Sequence, residues 1–199
     1  QYYVQPLLTS AHRAYQTPLG EIPIDKELLA AVNTQLEQQA NLALHPVAHD
    51  KEHSLEIELP FLQRALMGDF KILPIMLRDQ SRRTAKILGK ILPDVLQGSS
   101  ALLVASSDLS HFHPESVANQ LDGQVLEALA DFSPDGLFDL KEHGSGQACG
   151  LAAIAAILWA SQELGGTDVT VLNYNTSAAI TGDRSSVVGY GAAAITRPV

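Results

Sequence analysis

Among 199 residues there is one cysteine, Cys149, so no intrachain disulfide can form. That scarcity fits a reducing compartment, and a cytoplasmic location is the expectation. Cations are also in short supply: 13 Lys+Arg face 22 Asp+Glu, for a formal net charge of -9. An acidic domain repels phosphate backbones and anionic lipid, which argues against nucleic acid and membrane surface as partners. The nearest thing to a basic patch is Arg78, Arg82 and Arg83, which read as a solvated face. No apolar run approaches transmembrane length; the longest, Leu151 to Trp159, reads as a core helix.

What remains is a globular chain. Hydrophobic residues make up 46% and charged ones only 18%, a composition that folds rather than stays disordered. The length suits one domain with a sizeable core and is marginal for two, so a single domain over 1–199 is expected. No repeat, low-complexity tract or Pro/Gly/Ser-rich linker divides it. The chain opens at Gln1 without methionine and without a capping or turn signal, which reads as a piece of a longer polypeptide.

Short apolar runs alternate with longer amphipathic ones. Phe70 to Leu77, Ala101 to Ala105 and Val169 to Leu172 are strand-like, with Val187 to Ile195 as a last strand. Lys26 to Gln39, Leu55 to Met67, Arg82 to Leu96, Ser116 to Asp131 and Leu151 to Leu164 have helical spacing. Pro60 falls inside the second of these and should kink that helix or mark its first turn. Apolar strands separated by helices predict an α/β fold with a central, largely parallel sheet covered by helices on both faces. Ligands in such folds bind beyond the carboxyl ends of the strands.

Three segments carry chemistry. After Ala101 to Ala105 the chain turns polar as Ser106, Ser107, Asp108, Ser110, His111 and His113. Asp108 and Ser107 could cap a turn with His111 in water. The imidazole, which titrates near neutrality, makes an acid/base pair of Asp108 and His111 a competing reading. Cys149 precedes the helix from Leu151, where unpaired N–H groups and the helix dipole favour the thiolate. The alternative for Cys149 is a small buried hydrophobe. Third, His49-Asp50-Lys51-Glu52-His53 matches the inverted zincin pattern H-x-x-E-H. Asp50 is a natural N-cap, however, which would leave His49 outside the helix. His53 alone is the more economical ligand. His45 and His143 read as loop residues, and Glu56 and Glu58 as a polar helix face. Walker, G-x-G-x-x-G, G-x-S-x-G and C-x-x-C motifs are absent, which argues against nucleotide-binding, serine-hydrolase and thioredoxin-like functions.

These segments also resemble a known family. Glu52 to Leu62 (EHSLEIELPFL) is similar to the "EHSLE–LPFL" motif of Memo-like proteins, Ser106 to Phe112 to their "SSD–SH" segment, and Ala148-Cys149-Gly150 to their "ACG". Tyr15 to Pro23 resembles their "TPLG–VP" hairpin, and Thr181 to Tyr190 the C-terminal segment of prokaryotic members. Five matches in order are far more specific than any one. The resemblance implies the fold of class III extradiol dioxygenases, with His53 and Cys149 as metal ligands. It also implies His111 as the acid/base histidine, with Asp108 beside it. The family's further ligand histidine lies in a His-Ala-Gly-Tyr-type segment, placed by the resemblance upstream of Gln1 together with a "GPSH" segment and the first strand.

The implied cofactor is a divalent or redox metal, iron, copper or zinc. Replacing a carboxylate ligand by a thiolate moves preference toward softer metals and exposes the ligand to oxidation, so the dioxygenase activity does not carry over with the fold. The leading reading is a metal-binding pocket, redox-active, for a small molecule. A peptide-binding adaptor without turnover is the second reading. A cysteine-dependent hydrolase or transferase, with Cys149 as nucleophile and His111 or His53 as base, is the third. Resemblance to prokaryotic members implies a radical SAM protein as a system partner.

Overall fold

The computed structural model describes residues 3–49, 53–66 and 68–198. The chain divides into two compact units, residues 1–79 with 94–102 and residues 80–93 with 103–199.

The first unit contains β1 (Leu7–Ser10), the hairpin strands β2 (Ala14–Thr17) and β3 (Gly20–Pro23), α1 (Lys26–Ala40), β4 (Leu44–Val47), α2 (Ser54–Ala65) and β5 (Met76–Leu77). All four residues of β1 are buried, because it is the middle strand of the order β4-β1-β5. It pairs parallel with β4, Leu7 opposite Leu44, and antiparallel with β5. The hairpin predicted at Tyr15 to Pro23 is present. Thr17 Oγ1 donates to the Gly20 carbonyl, and Gly20, at φ +126°, takes a backbone conformation that side chains disfavour. Asp25 caps α1 by accepting from the Leu28 amide at 3.1 Å, and Asn41 closes it in the left-handed region.

The second unit begins with most of α3 (Arg82–Leu96). It continues with β6 (His111–His113), α4 (Glu115–Ala130), α5 (Pro134–His143), α6 (Leu151–Glu163), β7 (Asp168–Thr176), α7 (Ala178–Thr181) and β8 (Val187–Thr196). Its sheet has the order β6-β8-β7, antiparallel throughout. The link between β7 and β8 is too short for the crossover that a parallel pair requires. Helix α4 packs on this sheet through Ala118, Asp122 and Leu126, while Val125 and Ala128 are buried against the Gly146 loop and α5. Helix α6 is almost wholly apolar and buries Leu151, Ala155, Leu158 and Trp159. A Cβ at Gly89 of α3 would lie 2.8 Å from the Ala156 carbonyl oxygen and from Trp159 Cβ, so the two helices meet at backbone distance.

Several expectations are corrected. The fold is mixed α/β, but among the described residues parallel pairing is limited to β1 with β4 and an isolated Ile24–Ile72 bridge, and the described sheets are small. Within this unit α4 covers one face of the antiparallel sheet: Gly189 and Gly191 face α4, while Tyr190 between them points the other way and is 48% exposed. Ala101 to Ala105 forms no strand; no described strand pairs with it, and Leu102 and Val104 are exposed. Of Phe70 to Leu77 only β5 and an Ile72–Ile24 bridge are in strand pairing. Pro60 sits in the interior of α2, which leaves the kink alternative and excludes the first turn. His45 belongs to β4 and His143 ends α5, so neither is a loop residue. The predicted cap Asp50, the zincin glutamate Glu52 and the predicted helix end Met67 lie outside the described residues. Among those residues, no helix is long and apolar enough to cross a membrane.

Candidate metal centre

The second unit brings three of the predicted site residues together. The ligand atoms of Asp108, His111 and Cys149 all lie within 4.8 Å of one another. They reach this arrangement through two loops stitched at backbone level. The Asp108 amide donates to Cys149 Sγ at 3.2 Å, and the Cys149 amide donates back to the Asp108 carbonyl at 3.1 Å. Ser107 locks the pair: its Oγ accepts from the Gly150 amide at 2.8 Å, donates to the Asp108 carbonyl at 2.7 Å and stands 3.6 Å from Sγ. A Cβ at Gly150 would fall 2.8 Å from the Ser106 carbonyl oxygen and 2.9 Å from Ser107 Cβ, so only glycine lets the loops approach this closely.

Asp108 and His111 form a direct pair, Oδ2 to Nε2 3.3 Å. When Nε2–H donates to the carboxylate, Nδ1 holds the ring's free lone pair, the arrangement that orients an imidazole for a proton or a metal. Cys149 lies one residue ahead of Gly150, the N-cap of α6, and its thiol is exposed and free. The reading of Cys149 as a buried hydrophobe is therefore excluded. A cleft of about 360 Å³, bordered by Leu109, His111, Gln147 and Cys149 among others, opens beside the imidazole and the thiol. Carboxylate, imidazole and thiol at such spacing fit a transition-metal ion of intermediate softness.

His53 belongs to the first unit, where it is the N-cap residue of α2 and makes no side-chain capping bond. Because the helix begins at Ser54, His49 lies outside it, as the rejection of the zincin pattern required. Two further residues escaped the sequence reading. By sequence Ser107 offers itself as a turn cap, and its contact with the cysteine loop becomes visible only with Gly150 against it. Gln147 Oε1 lies 3.1 Å from His113 Nε2 and ties the cysteine loop to β6. Its partner is 34 residues away in the chain, and no local signal announces the pair. Phe112, between the two histidines, has φ +61° and is 77% exposed, an uncommon state for a bulky side chain.

The mixed α/β unit thus carries, at a loop junction, a His/Asp/Cys donor group whose spacing could hold a metal ion. The chain belongs to the Memo-like protein family: the family model matches residues 1–194. It is 36% identical over 192 residues to a MEMO1 family protein of Methanosarcina mazei, covering 96% of this chain and 70% of that protein. A MEMO1 family protein of Methanosarcina acetivorans is 37% identical over 192 residues, with the same shares covered. One from Nitrosopumilus maritimus is 34% identical over 184 residues, covering 92% of this chain and 66% of that protein.

Proposed function

We propose that this chain is a metal-binding, redox-active member of the Memo-like family that acts on a small molecule in the cleft beside Cys149. The observation that carries this reading is the meeting of Asp108, His111 and Cys149 donor atoms within 4.8 Å. A soft thiolate beside an imidazole and a carboxylate suits iron(II), copper(I) or zinc. The metal, when bound, would supply Lewis-acid or electron-transfer chemistry. The residues do the rest: Cys149 and His111 would hold the ion, and Asp108, bonded to His111 Nε2, orients the ring. Kinship in fold with extradiol dioxygenases and partnership with a radical SAM protein belong to this reading as expectations of resemblance.

The test is elemental analysis after anaerobic purification and reconstitution with iron(II), copper(I) and zinc separately. One equivalent of one metal is expected in the wild type, with loss in Cys149→Ala and His111→Ala. His53→Ala reports independently on the ligand implied by resemblance. No stoichiometric metal in the wild type under any condition overturns the proposal.

The exposed Cys149 thiol, close to an imidazole, favours one further reading, a cysteine nucleophile with His111 as base. Labelling of Cys149 by iodoacetamide that saturating metal blocks counts against it. Labelling that metal leaves untouched, with loss of a turnover, favours it.

A further inference from the structure

Behind the metal-type group lies a carboxylate that plays no part in the function proposed above. Asp122, on α4, is wholly buried. Among the described residues its hydrogen-bond donors are both neutral: the Ser110 amide at 2.8 Å to Oδ1 and the Tyr174 hydroxyl at 2.8 Å to Oδ2. A carboxylate held out of water without a cationic partner is expensive. The surrounding chain is shaped around it nonetheless. A Cβ at Gly189 would lie 1.8 Å from Asp122 Oδ2, so β8 presents a glycine where the carboxylate sits. The same glycine grips the same loop from the strand side. The Leu109 amide donates to the Gly189 carbonyl and the Gly189 amide to the Ser110 carbonyl, both at 2.9 Å.

Leu109 and Ser110 are the two residues between Asp108 and His111. Their backbone is therefore held by β8 through two bonds and by Asp122 through a third. The Tyr174 hydroxyl fixes the carboxylate from its other oxygen. Burial first, then the bond to Asp122, pushes the Tyr174 phenol well above its ordinary range, which keeps that hydroxyl a donor.

We propose that Asp122 is a positioning residue for the Asp108–His111–Cys149 group, its buried carboxylate fixing the Leu109–Ser110 backbone so that Asp108 and His111 meet Cys149 in register. The proposal rests on the metal-binding reading for its consequence, but the tether itself is independent of metal.

The experiment uses the full chain with Asp122→Leu, which fills the site but accepts no hydrogen bond, and Asp122→Asn, whose Oδ1 still accepts from Ser110. Two measurements are made: amide hydrogen exchange across residues 106–113 without metal, and the dissociation constant for cobalt(II). Asp122→Leu should raise exchange in that segment by roughly tenfold while α6 is unchanged, and weaken cobalt by roughly tenfold. Asp122→Asn should stay within roughly threefold of wild type in both. Unchanged exchange in Asp122→Leu overturns the proposal, and so does raised exchange with unchanged cobalt affinity. If the wild type binds no cobalt, it is the metal reading that fails. The iodoacetamide rate at Cys149 then decides: a shift of roughly threefold or more in Asp122→Leu, matched in direction by the exchange data, supports the tether, and no shift overturns it. Should Asp122→Leu not fold, Tyr174→Phe takes its place, with roughly threefold changes expected and none overturning.

Discussion

The Asp108 amide points at the sulfur of Cys149 from 3.2 Å, and the Cys149 amide returns the contact to the Asp108 carbonyl at 3.1 Å. Two residues 41 positions apart thus hold one another by main chain as well as side chain. The sulfur thus already accepts one main-chain N–H, which fixes where it stands in the cleft. Cys149→Ser keeps the shape but substitutes a hard, protonated oxygen. Its cobalt(II) complex should lose the thiolate charge-transfer absorption and bind at least about tenfold more weakly, as read by absorbance titration.

Gly150→Ala tests the loop junction itself. A methyl group there meets the Ser106 carbonyl oxygen at 2.8 Å, and backbone cannot swing aside as a side-chain tip can. The variant should lose about 1–3 kcal/mol in urea denaturation. Its metal affinity should fall further than its stability alone accounts for, because the Gly150 amide bond to Ser107 is pushed apart.

Tyr174 sets a pH signature. Its folded-state value is raised above the ordinary 10.0, first by burial and then by its bond to Asp122. A phenol raised on folding contributes stability that is fully present below pH 10.0 and is lost as pH climbs through the folded value. Stability of the wild type should therefore decline above pH 10 more steeply than that of Tyr174→Phe, measured by urea midpoints across the alkaline range. In a phenolate absorbance titration, Tyr174→Phe should remove a step that lies on the alkaline side of the ordinary phenol range.

Arg82 is not the solvated residue that its neighbours Arg78 and Arg83 suggested. Its guanidinium contacts Asp139 at 2.6 Å, Asp135 at 3.0 Å and Glu142 at 3.3 Å, and lies over the Phe138 ring. The bond to Asp139 contributes most to raising its already high pKa. With a third of the side chain still exposed, solvent screens these pairs. Arg82→Ala should cost about 1 kcal/mol in low salt, and the difference from wild type should shrink in molar salt.

The site was legible in the sequence to the extent that its residue types were unusual where they stood. Asp108 and His111 follow an apolar run that ends abruptly in polar residues, and Cys149 stands among glycines just before an apolar helix; both signals are local. Ser107, Gln147 and Asp122 were not legible as site residues, because each acts through a partner from another segment. Asp122 is the extreme case. On the sequence it is one acidic residue in an amphipathic helix, and only the packing of β8 against α4 shows that it faces inward.

Helix positions came from local pattern. The 3.6-residue spacing of Arg82 to Leu96 and Leu151 to Leu164 is a property of each stretch alone, and the structure places helices there within a residue of the expectation. Ser133-Pro134-Asp135-Gly136 holds a cap and a proline at the first turn of α5, but its apolar stripe, Leu137 and Phe138, is too short to mark a helix by spacing alone. Strands are different, since a strand exists only with a neighbour to bond. Ala101 to Ala105 has the composition of a strand but no described partner, whereas Val187 to Ile195 has two. Sheet direction likewise depended on how chain segments return, and antiparallel pairing of β7 with β8 was decided by the short link between them. Sequence alone thus settled the family, the helices and the identity of the chemical side chains, because those are written in residue type and local spacing. Tertiary structure alone decided which strands pair, which way they run and which donors meet, because those depend on contacts between residues far apart along the chain.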